Sequence, residues 1–252
     1  MKSNILRPGL VLAASLCAGS FAHAAAQASH WAYTGKHADP SHWAALSPEF
    51  ESCAKGHAQS PVDIRATVKA DLPALRFDYT QADPVILNNG HTVQVNLPPG
   101  QRLTIGDRSF ELLQFHFHTP SEEEIHGKRA PMEVHFVHKD VEGKLAVVSV
   151  LLQAGKASKA YAPVFDHLPR PGEKITVDGL HLDLARLLPA ATGYYRFQGS
   201  LTTPPCSEGV QWIVLKQPLA LGAGQIRAFH TLFKANARPV QPLNGRVVEE
   251  SN

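Results

Sequence analysis

Cysteine is scarce in this chain, three in 252 residues, which excludes a structural zinc site of four thiolates. A surplus of one charge is also missing. Lys and Arg number 24 against 22 Asp and Glu, which leaves no basic excess to hold nucleic acid or an anionic membrane surface. No internal repeat, Gly/Ser-rich linker or charge block divides residues 25–252, so a second domain is not indicated. The only prolonged apolar run lies near the start and is too short to anchor the chain in a bilayer. At 44% hydrophobic and 18% charged residues, the composition is that of a soluble globular protein with a sizeable core, and not of a disordered chain.

The opening stretch, MKSNILRPGLVLAASLCAGSFAHA, places Lys2 and Arg7 before an apolar run and ends on Ala22-His23-Ala24. That is the layout of a secretory signal peptide, residues 1–24, cleaved after Ala24. A lipoprotein reading through Cys17 meets bulky Leu16 where a small residue is expected. Export predicts a periplasmic or secreted protein. Lys2 and Arg7 are the signal's only charges, so the formal +2 less these two gives zero for residues 25–252. Cys53 and Cys206 remain after cleavage, and in an oxidising compartment two cysteines point to one disulfide. Two buried thiols are the alternative.

Strand patterns dominate: PVILNN, HTVQVNL, LLQFHFH, MEVHFVH, LAVVSVLLQ, YYRFQGSL and VQWIVL are alternating or short apolar runs bounded by turn formers. Asn89-Gly90 between two of them signals a hairpin. Helical patterns are few and short, SKAYAPVFDHL and GAGQIRAFHTLFK being the clearest. The expectation is one mainly β domain, residues 25–252, built on a large, twisted, mostly antiparallel sheet with short peripheral helices.

Residues 114–122 read QFHFHTPSE. In an extended chain His116 and His118 share a face with Gln114, while Phe115 and Phe117 take the other. The following turn-rich segment leads into MEVHFVH, where alternation puts Glu133, His135 and Val137 together. A hairpin-like return would bring His135 opposite the histidine pair. Three neutral imidazoles with one position left open suit catalytic zinc. Gln114 and Glu133 are placed to accept from the remaining ring N–H groups. A lone H-x-H has roughly one chance in five of being a ligand pair; the third histidine with its same-face partners makes the pattern far more specific.

With HWAYTG at 30–35, QSPVDI at 59–64, NNGH at 88–91, SLTTPP at 200–205, QWIVL at 211–215 and NARPVQPLNGR at 236–246, the chain resembles the α-class carbonic anhydrases over nearly its whole mature length. The resemblance implies that fold, and the reversible hydration of carbon dioxide to bicarbonate and a proton by zinc-bound hydroxide. By it, His116, His118 and His135 hold Zn2+, and Gln114, Glu133 and Asn236 orient them. Thr202 accepts from the bound hydroxide and donates to Glu122, with Thr203 beside it. Val137, Val147, Leu201 and Trp212 form an apolar subsite for CO2, His91 shuttles the proton, and Cys53 and Cys206 pair as in exported relatives. Glu123 stands where many relatives carry histidine, a change expected to touch loop hydrogen bonding and not the metal.

Each role has a plainer reading. Thr202 and Thr203 before two prolines could only shape a turn, Glu122 sits in an acidic run typical of solvated loops, and the four pocket residues could be ordinary core. His138 is expected to pack or hydrogen-bond in the interior. Strict alternation sets His91 on the face opposite Gln94, so an irregular turn or bulge is predicted between them. Rival functions are a non-catalytic binding module and another metal enzyme. The expected partner is a small molecule, with no nucleic acid and no membrane anchor; oligomeric state is left open, a homodimer included.

Overall fold

Alternation decides how the middle of the chain folds. A strand that is apolar on one face and carries imidazoles on the other needs a core beneath it and a cavity above it. The computed structural model describes residues 30–252 and supplies both; the predicted signal peptide lies outside the described residues. Among the described residues no helix is long and apolar enough to cross a membrane.

The principal strands are β1 (Val68–Ala70), β2 (Val85–Asn88), β3 (Val93–Asn96), β4 (Arg108–His118), β5 (Met132–Lys139), β6 (Leu145–Gly155), β7 (Lys174–Ile175), β8 (Tyr194–Ser200), β9 (Glu208–Leu215) and β10 (Glu249–Ser251). They belong to one large sheet of 13 strands with the order β7-β2-β3-β4-β5-β6-β9-β8-β10-β1. Most neighbours are antiparallel, as expected. Parallel joints occur at β6–β9, β10–β1 and between β6 and Leu219–Gly222, so the sheet is mixed. Both predicted helical segments contain helix, Ala162–Phe165 and the ten-residue Ala223–Leu232.

Under the sheet, Phe115, Phe117 and Phe136 are fully buried. Phe117 packs edge-on against Tyr161, Phe165 and Phe229, which the two helical segments supply. Burial of each such side chain stabilises by roughly 1.5–3 kcal/mol. His138 also belongs to this interior: its Nε2 lies 2.5 Å from Tyr79 Oη and its Nδ1 3.3 Å from the carbonyl of Ala146. It is not brought to the other histidines.

The register sets the upper face. Gln94, His116, His135 and Ser149 follow one another as partners across β3, β4, β5 and β6. The adjoining row, two residues along, is Asn96, Gln114, Val137, Val147 and Trp212. Polar groups thus lie toward β3 and aliphatic ones toward β9. Gly199 leaves room for the indole and for Ser60, because a Cβ there would come within 2.7 Å of Trp212 Cδ1 and 2.1 Å of Ser60 Oγ.

Cys53 and Cys206 form a disulfide. It fastens the 201–207 segment, itself closed by Leu201 N–H to the Ser207 carbonyl and Cys206 N–H to the Thr203 carbonyl, to the short helix Ser52–Lys55.

Candidate active site

His116 and His135 are direct partners on antiparallel β4 and β5, and His118 follows two residues along β4 on the same face. The three rings stand 4.6–5.4 Å apart, centroid to centroid, and one ligand nitrogen from each lies within 4.8 Å of the others.

Hydrogen bonds fix which nitrogen faces inward. His116 Nδ1 lies 2.8 Å from Gln114 Oε1, and His118 Nδ1 lies 2.7 Å from the Asn236 carbonyl. Both partners only accept, so both rings carry their proton on Nδ1 and turn Nε2 inward. His118 Nε2 is buried without a hydrogen-bond partner. His135 is reversed: its Nε2 looks outward to Glu133, 3.5 Å away, leaving Nδ1 on the inner side. Asn236 therefore acts through its backbone, while its side chain holds that backbone by donating to the carbonyls of His91 and Phe117 and accepting from Thr119 N–H.

Burial, with neighbouring imidazoles second, holds His116 well below the usual histidine range, and burial lowers His118 as well. Both are neutral and available to a cation. Burial works against charge on Glu133 and His135 too, yet their mutual attraction wins and holds Glu133 low and His135 high. Glu133 is further fixed by the Ser149 hydroxyl and the backbone N–H groups of Glu122 and Glu123. A ring so paired is a basic ligand that trades its proton for metal. An unpartnered inward nitrogen, two neutral rings and one basic ring at this spacing fit zinc.

The residues around the trio line a cavity of about 180 Å³. Every residue assigned by the resemblance to the cavity is there: His91, Val137, Val147, Leu201, Thr202, Thr203 and Trp212. Val137, Val147, Leu201 and Trp212 form one apolar cluster on its side wall. Trp31, Tyr33, Asn89, Thr92 and Gln94, to which no site role was assigned, also line it.

His91 sits in the four-residue connection between β2 and β3, so strand alternation does not reach it; the predicted irregular turn is present. Asn89 Oδ1 accepts from the N–H groups of both His91 and Thr92, and Gly90 takes a left-handed φ of +86°. The His91 ring stacks on Trp31 at 3.7 Å and 8°. Burial, then the nearby His30, lowers its pKa.

Two residues of the acidic run lie inside the protein, against the plainer reading of a solvated loop. Glu122 is not solvated but fully buried. Its Oε1 accepts from Arg238 N–H at 2.7 Å, and Oε2 lies 3.5 Å from His118 Nε2 without a hydrogen-bond partner. Thr202 makes no hydrogen bond to it in this structure. Glu123 is equally buried, with Oε2 3.5 Å from His135 Nε2, so the chain turns its carboxyl inward against that ring. Arg238, also unmarked in sequence, closes the wall behind Glu122 by donating to Gln59 Oε1 and the carbonyls of Ser60 and Cys53.

Residues 38–252 match the family of eukaryotic-type carbonic anhydrases. The chain belongs to that family. It is 42% identical over 240 residues to the carbonic anhydrase of Pectobacterium carotovorum, covering 95% of this chain and 97% of the relative. It is 46% identical over 226 residues to that of Klebsiella pneumoniae, covering 88% and 92%. Among solved structures, a hyperthermostable carbonic anhydrase from an active hydrothermal vent chimney superposes with a TM-score of 0.85 at 43% identity, over 88% of this chain and all of that one. Carbonic anhydrase activity, with carbon dioxide and bicarbonate as its small-molecule substrates, follows from this membership.

Proposed function

We propose that this carbonic anhydrase is a zinc enzyme in which His116, His118 and His135 hold the metal and His91 moves the proton to solvent. The observation that carries the reading is the opposition of His116 and His135 in register, with an inward nitrogen from each of three rings beside an aliphatic wall. When bound, zinc lowers the pKa of a water to about 7 and so supplies a nucleophile at neutral pH.

The chain's own residues do the rest. Gln114, the Asn236 carbonyl and Glu133 fix the rings. Val137, Val147, Leu201 and Trp212 give carbon dioxide, which is small and apolar, a dry wall with few polar contacts to compete for it. Glu122 Oε2, a buried acceptor in want of a donor, is the group to which the Thr202 hydroxyl would donate. A threonine so engaged can only accept from the nucleophile, which aims a lone pair at the substrate, and Thr203 lines the same edge. His91, half-buried at the mouth with its proton affinity lowered, suits a relay that must give its proton up. The disulfide and the layout of residues 1–24 support export to the periplasm or beyond.

The decisive experiment measures zinc content and carbon dioxide hydration of wild type and His116→Ala. Loss of both together is expected; full hydration by rigorously zinc-free wild type would overturn the proposal.

A further inference from the structure

Glu123 is left over by the chemistry above. Its side chain is fully buried, and neither carboxyl oxygen has a hydrogen-bond partner. Its neighbours are better served: Glu122 takes the N–H of Arg238, and Glu133 takes two backbone N–H groups and a serine hydroxyl. Burying a carboxyl without such partners costs a fold stability. What Glu123 does face is the outer nitrogen of His135, 3.5 Å from its Oε2, the same separation as Glu133 Oε1 keeps from that nitrogen. His116 and His118 are each steered by one tight acceptor at 2.8 and 2.7 Å. His135 has no acceptor that close to Nε2. It has two carboxyls at longer range.

We propose that Glu123 is a positioning residue for the third metal ligand, forming with Glu133 a two-sided carboxyl cradle that stops the His135 ring from swinging and keeps Nδ1 aimed at zinc. One distant acceptor restrains a ring along a line and leaves it free to tilt; a second acceptor, offset from the first, removes the tilt. The inference rests on the zinc reading of the site.

The test uses the mature chain with Glu123→Leu and Glu123→Gln. Zinc affinity is measured by competition with a chelator, zinc stoichiometry by metal analysis, and the stability of the metal-stripped protein by urea unfolding. Leucine keeps the shape and removes the unpartnered oxygens, so the stripped variant should be at least as stable as wild type, while zinc binds about 10- to 100-fold more weakly. Glutamine keeps a donor and an acceptor and should stay within about threefold of wild type. Where leucine does not fold, Glu123→Met, the more adaptable side chain, repeats the measurement. Unchanged zinc affinity in the leucine variant overturns the inference alone. So does wild type with two zinc ions per chain falling to one, which would make Glu123 a ligand. Wild type that binds no zinc overturns the metal reading first and the inference with it.

Discussion

Gln114 and His116 lie two residues apart on β4 and are joined side chain to side chain, Oε1 to Nδ1, at 2.8 Å. The bond spans the two rows of the site: Gln114 is the partner of aliphatic Val137 and His116 the partner of His135. One side chain thus joins the edge of the apolar wall to the His116 ring and fixes that ring's tautomer. Gln114→Ala should weaken zinc binding about 10- to 100-fold, the usual loss for an orienting partner, with little change in the stability of the stripped protein. Chelator competition and urea unfolding check the two halves. Equal zinc affinity in both proteins would remove Gln114 from the site's machinery.

The stacking of His91 on Trp31 holds a half-buried imidazole in the lining of the cavity. His91→Ala should therefore slow turnover in weak buffer by about a hundredfold, the lower end of what a positioned acid–base group contributes. Adding small imidazole buffers should restore most of it. Stopped-flow hydration at several buffer concentrations reads the effect, and a loss that no buffer relieves would contradict a relay role.

Much of this was legible in the sequence because a strand's period is two. The face shared by Gln114, His116 and His118, and the position of His135 opposite them, follow from alternation once β4 and β5 are paired. Alternation fails where the register slips. The shift at Val137/His138 leaves Leu112 buried and Leu113 exposed, the reverse of what counting back from Phe115 gives. The acidic run Glu122–Glu124 hid its burial for another reason. Glu124 pairs at the surface with nearby Arg129, but the donor that receives Glu122 comes from Arg238, 116 residues away, and local composition cannot announce a partner at that distance. Asn236, assigned by the resemblance alone, meets His118 through its carbonyl, which any residue carries, so its side-chain type could not announce the contact.

Cys53 and Cys206 are 153 residues apart, and the bond between them holds the segment that carries Thr202 and Thr203. In the chain-entropy model a loop of that length corresponds to about 5 kcal/mol, and removal of native disulfides costs about 2–5 kcal/mol in practice. Cys53→Ser should lower stability by that amount and reduce hydration more than zinc content, since the ligands lie on other strands. Denaturant unfolding with metal analysis separates the two effects. Proportional loss of zinc and activity would place the damage in the sheet instead.

His138 supplies a pH dependence of its own. Burial brings its pKa down to about 4, against about 6.5 for an unfolded histidine. Between these values the unfolded chain binds the proton and the folded chain does not, so stability rises with pH across that window and is flat beyond it. The full span corresponds to roughly 3 kcal/mol at 1.36 kcal/mol per unit. Falling pH must first charge a buried ring whose Nε2 accepts from Tyr79 and whose Nδ1 donates to Ala146; protonated, it would donate to the Tyr79 oxygen, whose hydroxyl proton would then lose its acceptor. Urea unfolding of the metal-stripped protein between about pH 4 and 7 should show this slope, and His138→Gln, uncharged throughout, should lack it. Parallel slopes in the two proteins would assign the acid sensitivity to other groups.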